Sequence, residues 1–244
     1  MKEVVIIDSV RTGLAKSYRG SFNLTRTDDM TAHVINALLS RNPEVIPEEV
    51  EDVILGVAEP IGEQGNNVAR LGVLLSQLPA NTAATTINRA CSSGVQSIAF
   101  AANQIASGQT QIAMAGGAES ISMFKRQKEG HYQKNPVLMS KRPDIFMSMG
   151  ATAEVVANRY KISREAQDKY SLQSQIRYAK AVDRELMRDE IIPMSTSMKR
   201  IDRQTGETTL SAITVNSDEC NRPDTTLEGL AVLSPVFSEG GSVT

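Results

Sequence analysis

Ala83-Ala84-Thr85-Thr86-Ile87-Asn88-Arg89-Ala90-Cys91-Ser92-Ser93-Gly94-Val95-Gln96-Ser97 is the stretch on which the fold of this chain turns. Thr85, Thr86 and Ile87 are β-branched and follow Pro79, which together predict a strand and its entry. From Val95 onward, Ile98, Ala99, Ala102, Ile105 and Ala106 recur at helical spacing, and Gly108 suits the left-handed residue that closes a helix. The segment predicts a buried strand, a turn carrying Cys91 and a largely apolar helix. Only Ser92, Ser93 and Gly94 occupy the first turn, so a ligand can approach the backbone there. Unpaired amides and partial positive charge at a helix N-terminus favour a thiolate, but by only about 0.3–2 kcal/mol. A nucleophile built this way still needs a base. A small buried hydrophobe is the other reading of the same cysteine.

The flanking sequence repeats the pattern. Val4 to Asp8 is a short apolar run, as in a strand covered on both faces. Thr27, Asp28 and Asp29 start a helix carried by Met30, Val34, Ile35 and Leu38. Val53 to Val57 is a second strand, and Val68, Leu71, Leu74, Leu75 and Leu78 mark a second helix. Gln111 to Ala115 is a further strand, closed by a turn at Gly116-Gly117. Alternating strands and helices predict an α/β fold with a mostly parallel sheet, right-handed crossovers and helices on both faces. Ligands of such sheets sit beyond the carboxyl ends of the strands, where Cys91 falls. Met123 to Asp144 is polar, basic and broken by Pro136 and Pro143, which predicts extended loop. Helices are expected from about Thr152 to Tyr160 and from Ser163 to about Glu185, then short strands and turns to Asn216. The expected division is a first domain at 1–120 and a second at 121–244.

Composition narrows the classes. The chain has 244 residues, 41% hydrophobic and 22% charged, enough for a real core. A net charge of -2 and the absence of tryptophan argue against a nucleic-acid partner. Two cysteines far apart form neither a disulfide framework nor a metal-ligand set. No charged leader precedes the first apolar run, and no stretch approaches the length of a membrane span. A cytoplasmic chain with no metal and no membrane partner is the expectation.

Asn88-Arg89-Ala90-Cys91-Ser92-Ser93-Gly94-Val95-Gln96-Ser97 also resembles the nucleophile motif of the thiolases, with Ala90 where degradative members tend to have glutamine. The resemblance runs along essentially the whole chain. Arg11-Thr12-Gly13 is similar to the family's first loop. Met149-Gly150-Ala151-Thr152-Ala153-Glu154 is similar to its Met-Gly-x-Thr-Ala-Glu run, and Asp218-Glu219-Cys220-Asn221-Arg222 to its Asp-Glu-x-x-Arg segment. It implies a layered thiolase-type α/β domain with an α+β loop-domain insertion that covers the active site and carries oligomer contacts. It implies Cys91 as the acyl-carrying nucleophile and Arg222 against the adenine of CoA. Met149 falls in a substrate-binding segment, and Leu233 and Phe237 along the pantetheine channel. Coenzyme A is then a substrate rather than a bound cofactor. The partners are 3-ketoacyl-CoA, CoA and further copies of the chain, as a homodimer or homotetramer. The implied reaction is thiolytic cleavage of 3-ketoacyl-CoA, as in fatty acid β-oxidation. Ser148, where biosynthetic members often carry histidine, favours degradation.

Other readings stay open at this point. They are a biosynthetic acetoacetyl-CoA thiolase, a ketoacyl synthase on the same fold, and a non-catalytic oligomerisation fragment. Cys220 stands in a polar loop outside any Cys-x-Gly motif and is read as incidental. A hydrolase dyad of Cys91 with His131 is formally available, and His33 sits within the first helix. The Gly-His-Pro and Cys-x-Gly motifs that supply the family's base and acid do not occur. The chain therefore resembles the front part of a thiolase, lacking the last strand of its first half and the C-terminal half, and no turnover by itself is expected.

Overall fold

Asp52-Val53-Ile54-Leu55-Gly56 form the central strand β1 (Asp52–Gly56), and every residue of it is buried. It pairs in parallel with β2 (Ala83–Ile87) on one side and β3 (Ala113–Gly117) on the other, giving the order β2-β1-β3. Gly56 lies opposite Ile87 and Gly117, so the three carboxyl ends finish level. The computed structural model describes residues 2–124, 134–202 and 204–244. It forms two compact units, residues 1–128 with 188–220 and residues 129–187 with 221–244. The expected boundary at 120 follows the chain, whereas the compact units cut it elsewhere, because residues 188–220 return to the first unit.

Strand alternation sorts β1 between two helical layers. Val53 joins Ile35 and Leu39 of α1 (Thr27–Arg41), Val73 of α2 (Val68–Leu75), Val50 and Leu78 in one cluster. Leu55 joins Val57, Val68 and Ala69 in another. Full burial of such side chains stabilises by about 1.5–3 kcal/mol each. Ile54 and Gly56 face the other way, toward α3 (Ser93–Ser107). Helices thus cover both faces, as the alternation predicts. Gly108 closes α3 in the left-handed conformation, φ 78°.

The remainder of this unit is an antiparallel hairpin, β4 (Met194–Ile201) and β5 (Thr208–Val215). Met194 and Val215 pack with Phe22 in a third cluster. The loop at 11–21 is tied to the segment after β5. Arg11 grips Asp218 through two bonds of 2.7 and 2.9 Å, and the Leu14 amide donates to the same carboxylate at 2.6 Å. The Lys16 and Ser21 amides donate to Glu219. A short α4 (Ile121–Phe124) also belongs to the first unit, and the second holds α5 (Pro136–Lys141), α6 (Met149–Tyr160), α7 (Arg164–Asp183) and α8 (Leu227–Ala231). Asn135, Ser148, Ser163 and Thr226 each accept a first-turn amide as N-caps.

Several expectations are corrected. Val4 to Asp8 is not a covered strand: Val5, Ile6 and Ile7 are exposed, because no strand lies beside this segment among the described residues. β2 is an edge strand and only partly buried, since β-branched composition does not distinguish edge from centre. Gly116 and Gly117 belong to β3 rather than to a turn. Part of the loop expected at 123–144 is helical, because Asn135-Pro136 is an N-cap followed by proline at the first helical position. In α3 the periodicity identifies the helix but not its inward face. Ser93, Ser97 and Ala101 are buried, while Val95 and Ile98 are exposed.

Candidate active site

β2 delivers the chain to the carboxyl edge of the sheet, where the Val57 amide donates to the Ile87 carbonyl at 3.0 Å. The turn that follows is held by its own side chains. Asn88 donates to the Ala58 carbonyl at 2.9 Å and accepts the Ala90 amide at 2.8 Å. Ser93 Oγ accepts the Arg89 amide at 2.8 Å and donates to the Ala90 carbonyl at 2.6 Å. The amides of Ser92 and Ser93 close backbone turns on Arg89 and Ala90. These bonds hold Ala90 at φ 47°, a left-handed conformation uncommon for a residue with a Cβ. Cys91 follows directly, exposed, one residue before the Ser92 N-cap of α3. Ser97 Oγ reaches the Gly116 carbonyl at 2.6 Å and fastens the helix to β3. The turn thus presents a free thiol on a braced backbone beyond the strand ends.

The neighbouring loops are braced by Gln64, whose side chain is fully buried. Its Oε1 accepts the Ser120 amide at 2.7 Å and the Thr27 hydroxyl at 3.2 Å. Its Nε2 donates to the Glu59 carbonyl at 2.7 Å and to the Glu119 carboxylate, which also accepts the Ala58 amide at 2.7 Å. A cleft of about 450 Å³ in this unit runs along one face of β1 and β2, from Asp52 and Gln104 past Ile54 and Thr85 to Ile87.

Arg222, Met149, Leu233 and Phe237 all fall in the second unit, and Cys91 in the first. Met149 opens α6 with its side chain exposed. The Phe237 ring lies over Gly150, so close that a Cβ there would meet it at 2.1 Å. Phe237 and the start of α6 are therefore brought together. An apolar cleft of about 400 Å³ runs from Met149 past Ala153, Val156 and Ile162 to Val243. Leu233 is half-exposed after α8, and its amide donates to Leu230. Arg222 is exposed, with its amide on Gln175. His33 lies on α1 with Nε2 buried, and His131 lies outside the described residues. Asn88, Ser93, Asp218 and Glu219 stand in the motifs quoted above but take no role of their own from the sequence, and Gln64 is not singled out there. Their work is hydrogen bonding at a distance, and only the capping-type residues Asn88 and Ser93 carry a local signal for it.

Glu154 on α6 accepts the Ser242 amide at 2.9 Å and the Val243 amide at 2.8 Å. The Val243 and Ser242 amides hold its carboxyl below the ordinary 4.5. A depressed carboxyl contributes stability that is present above its unfolded value and lost as pH falls through its folded value. The amide shifts of Ser242 and Val243 are expected to titrate together with a midpoint below 4.5, and Glu154→Gln to abolish the titration. Amide shifts that stay flat through the acid range would show that the carboxylate does not hold this segment.

Such a sheet, with a braced cysteine turn at its carboxyl edge, defines an α/β domain that presents a free thiol beyond its strand ends. Residues 4–244 match the family described as "Thiolase, N-terminal domain". The chain is 40% identical over 247 residues to a 3-ketoacyl-CoA thiolase of Bacillus subtilis (strain 168), covering all of this chain and 62% of that protein. It is 38% identical over 262 residues to the 3-oxoadipyl-CoA/3-oxo-5,6-dehydrosuberyl-CoA thiolase of Escherichia coli (strain K12), covering 100% and 62%. It is 37% identical over 243 residues to the human peroxisomal 3-ketoacyl-CoA thiolase, covering 99% and 55%. The chain belongs to the thiolase family and spans about three-fifths of the length of the curated relatives it matches.

Proposed function

We propose that Cys91 is the acyl-accepting nucleophile of a thiolase that cleaves 3-ketoacyl-CoA with CoA. The observation that carries this is the exposed thiol on the braced turn between β2 and α3. The Cys91 thiolate adds to the 3-keto carbonyl. The bond between C2 and C3 breaks, and its electron pair leaves on the enolate of acetyl-CoA, which takes up a proton. The thiolate of free CoA then attacks the acyl-Cys91 thioester and releases acyl-CoA and the Cys91 thiolate. Negative charge develops on the carbonyl oxygen in each step, and the Cys91 amide is our choice for one donor to it. The apolar cleft beside Met149, with Phe237 over Gly150, supports a pantetheine or acyl contact in the second unit. Arg222 and Leu233 complete that proposed CoA surface. Both cysteines are free, which suits a reducing compartment, and no helix among the described residues is long and apolar enough to cross a membrane.

The test is acylation without turnover. Acetyl-CoA is expected to leave an acetyl group on Cys91 by thioester exchange, found by peptide mass spectrometry, and Cys91→Ala to leave none. Acetoacetyl-CoA with CoA is expected to show no sustained loss of enolate absorbance from this chain alone. Acetyl on Cys220 but not Cys91 would sink the assignment. β2 is a sheet edge, and an unpaired edge offers backbone donors and acceptors to a second copy. We accordingly propose a homodimer, and light scattering at micromolar concentration that gives a monomer mass would exclude it.

A further inference from the structure

We propose that Gly56, the last residue of β1, is a positioning residue for the Cys91 nucleophile. The inference rests on the reading of Cys91 given above. A Cβ on Gly56 would lie 2.4 Å from the Ser93 carbonyl carbon, 2.6 Å from its oxygen and 2.7 Å from the Gly94 amide nitrogen. All three are backbone atoms of the first turn of α3, which cannot rotate aside as a side chain can. Gly56 does not adopt a positive φ, so its backbone conformation is open to other residues. Close approach alone is what demands glycine here.

The approach bears on Cys91 because Ser93 is fastened to the residues just before it. Ser93 Oγ bonds the Arg89 amide and the Ala90 carbonyl, and the Ser93 amide also donates to Ala90. Gly56 itself is fixed from both sides. Its carbonyl accepts the Ala118 amide at 3.0 Å, and the adjoining Val57 amide donates to Ile87 at 3.0 Å. An alanine at 56 therefore lifts the start of α3 rather than displacing the strand. Restoring ordinary carbon contact distances requires a movement of roughly 1 Å. A displacement of that size at a reacting group is enough to lower a rate by about two orders of magnitude. Small residues along the start of α3 fit the same constraint: Ser93 lies against Gly56, and Ser97 Oγ reaches the Gly116 carbonyl at 2.6 Å.

The experiment compares G56A with G116A and G117A in this chain. At Gly116 an added Cβ meets nothing within 4 Å, whereas at Gly117 it would meet the Gly56 carbonyl at 3.2 Å and the Gly94 Cα at 3.5 Å. Two readings are taken on folded protein. The first is the ratio of iodoacetamide labelling of Cys91 to that of Cys220 in the same molecule, between about pH 6 and 9. The second is hydrogen exchange of the Ser92 and Ser93 amides. G56A is expected to change the labelling ratio about threefold or more and to lower protection of both amides about tenfold. The Arg70 amide, capped by Asn67 on another helix, is expected to stay as it is. G116A is expected to keep both wild-type readings. A folded G56A with the wild-type ratio and wild-type protection overturns the proposal. G117A, whose Cβ would make only ordinary contact with Gly94, is expected to change both readings less than G56A. If G56A does not fold in plain buffer, the same two readings are taken in sucrose, which strengthens burial, and decide the proposal in the same sense. Failure of wild-type Cys91 to take an acetyl group would strike the nucleophile reading instead, and neither of these readings depends on acylation.

Discussion

Replacing Asp218 with alanine is expected to lower the unfolding free energy by about 2–4 kcal/mol and to release the loop at 11–21. The side chain of Asp218 is 6% exposed and holds Arg11 with both oxygens while also accepting the Leu14 amide. Alanine leaves the guanidinium with Glu190, at 2.7 Å, and the Thr12 carbonyl, at 3.2 Å, and removes the acceptor of the Leu14 amide. Arg11 is itself 35% exposed, so part of its charge is recovered by water, and the effect stays below that of a fully buried broken pair. The Asp218 hydrogen bond first, and Glu190 after it, raise the Arg11 pKa above its ordinary value. A raised cation contributes stability at every pH below its unfolded value, so the arginine side of this pair is in place throughout the working range. Asp218→Asn keeps the Leu14 bond but loses the charge, and about half the effect is expected. Urea unfolding measures both, and a loss under about 1 kcal/mol for D218A would show that the pair does not hold the loop.

Gln64→Glu is expected to destabilise the first unit by about 3–5 kcal/mol at neutral pH. The new carboxylate would be fully buried, would face the carboxylate of Glu119 and would have no hydrogen for the Glu59 carbonyl. Its folded pKa rises above an ordinary value of about 4.3, through burial and the like charge. Folding of the variant is therefore favoured below about pH 4 and weakens as pH rises toward the folded pKa. Thermal melts of the variant should converge on wild type in acid and diverge toward neutrality. Equal separation at both ends would mean that shape rather than charge is at fault.

These two residues also mark where sequence reading stops. α1, α2, α3, α6 and α7 were legible because helical periodicity and caps such as Ser163 are local signals. Cys91 was legible because the strand, turn and helix around it follow one another in the chain. The outward face of α3 was not, because it depends on what β1 and β3 present to the helix. Ser93 turns inward there because Gly56 brings the backbone of β1 against the first turn of α3. The strand expected at Val4 to Asp8 fails for the same kind of reason: apolar residues state a preference for burial but not whether a neighbour exists. β3 runs two residues later than expected because a Gly-Gly pair reads locally as a turn. Asp218 and Gln64 are ordinary polar residues until their partners, distant in the chain, are known.

Arg11 and Asp218 stand 207 positions apart. A ribosome adding 5–20 residues each second needs roughly 10–40 s to traverse that interval. During it the growing N-terminal loop has neither its carboxylate nor the β4–β5 hairpin to close on, although β1, β2, β3 and the Cys91 turn have all been made. The nucleophile's platform is therefore synthesised well before the clasp that seals the same unit. The clasp joins segments far apart in the chain, whereas the Cys91 turn closes on its neighbours. D218A is accordingly expected to speed unfolding more than it slows refolding, and an equal slowing of refolding would show that the clasp forms early.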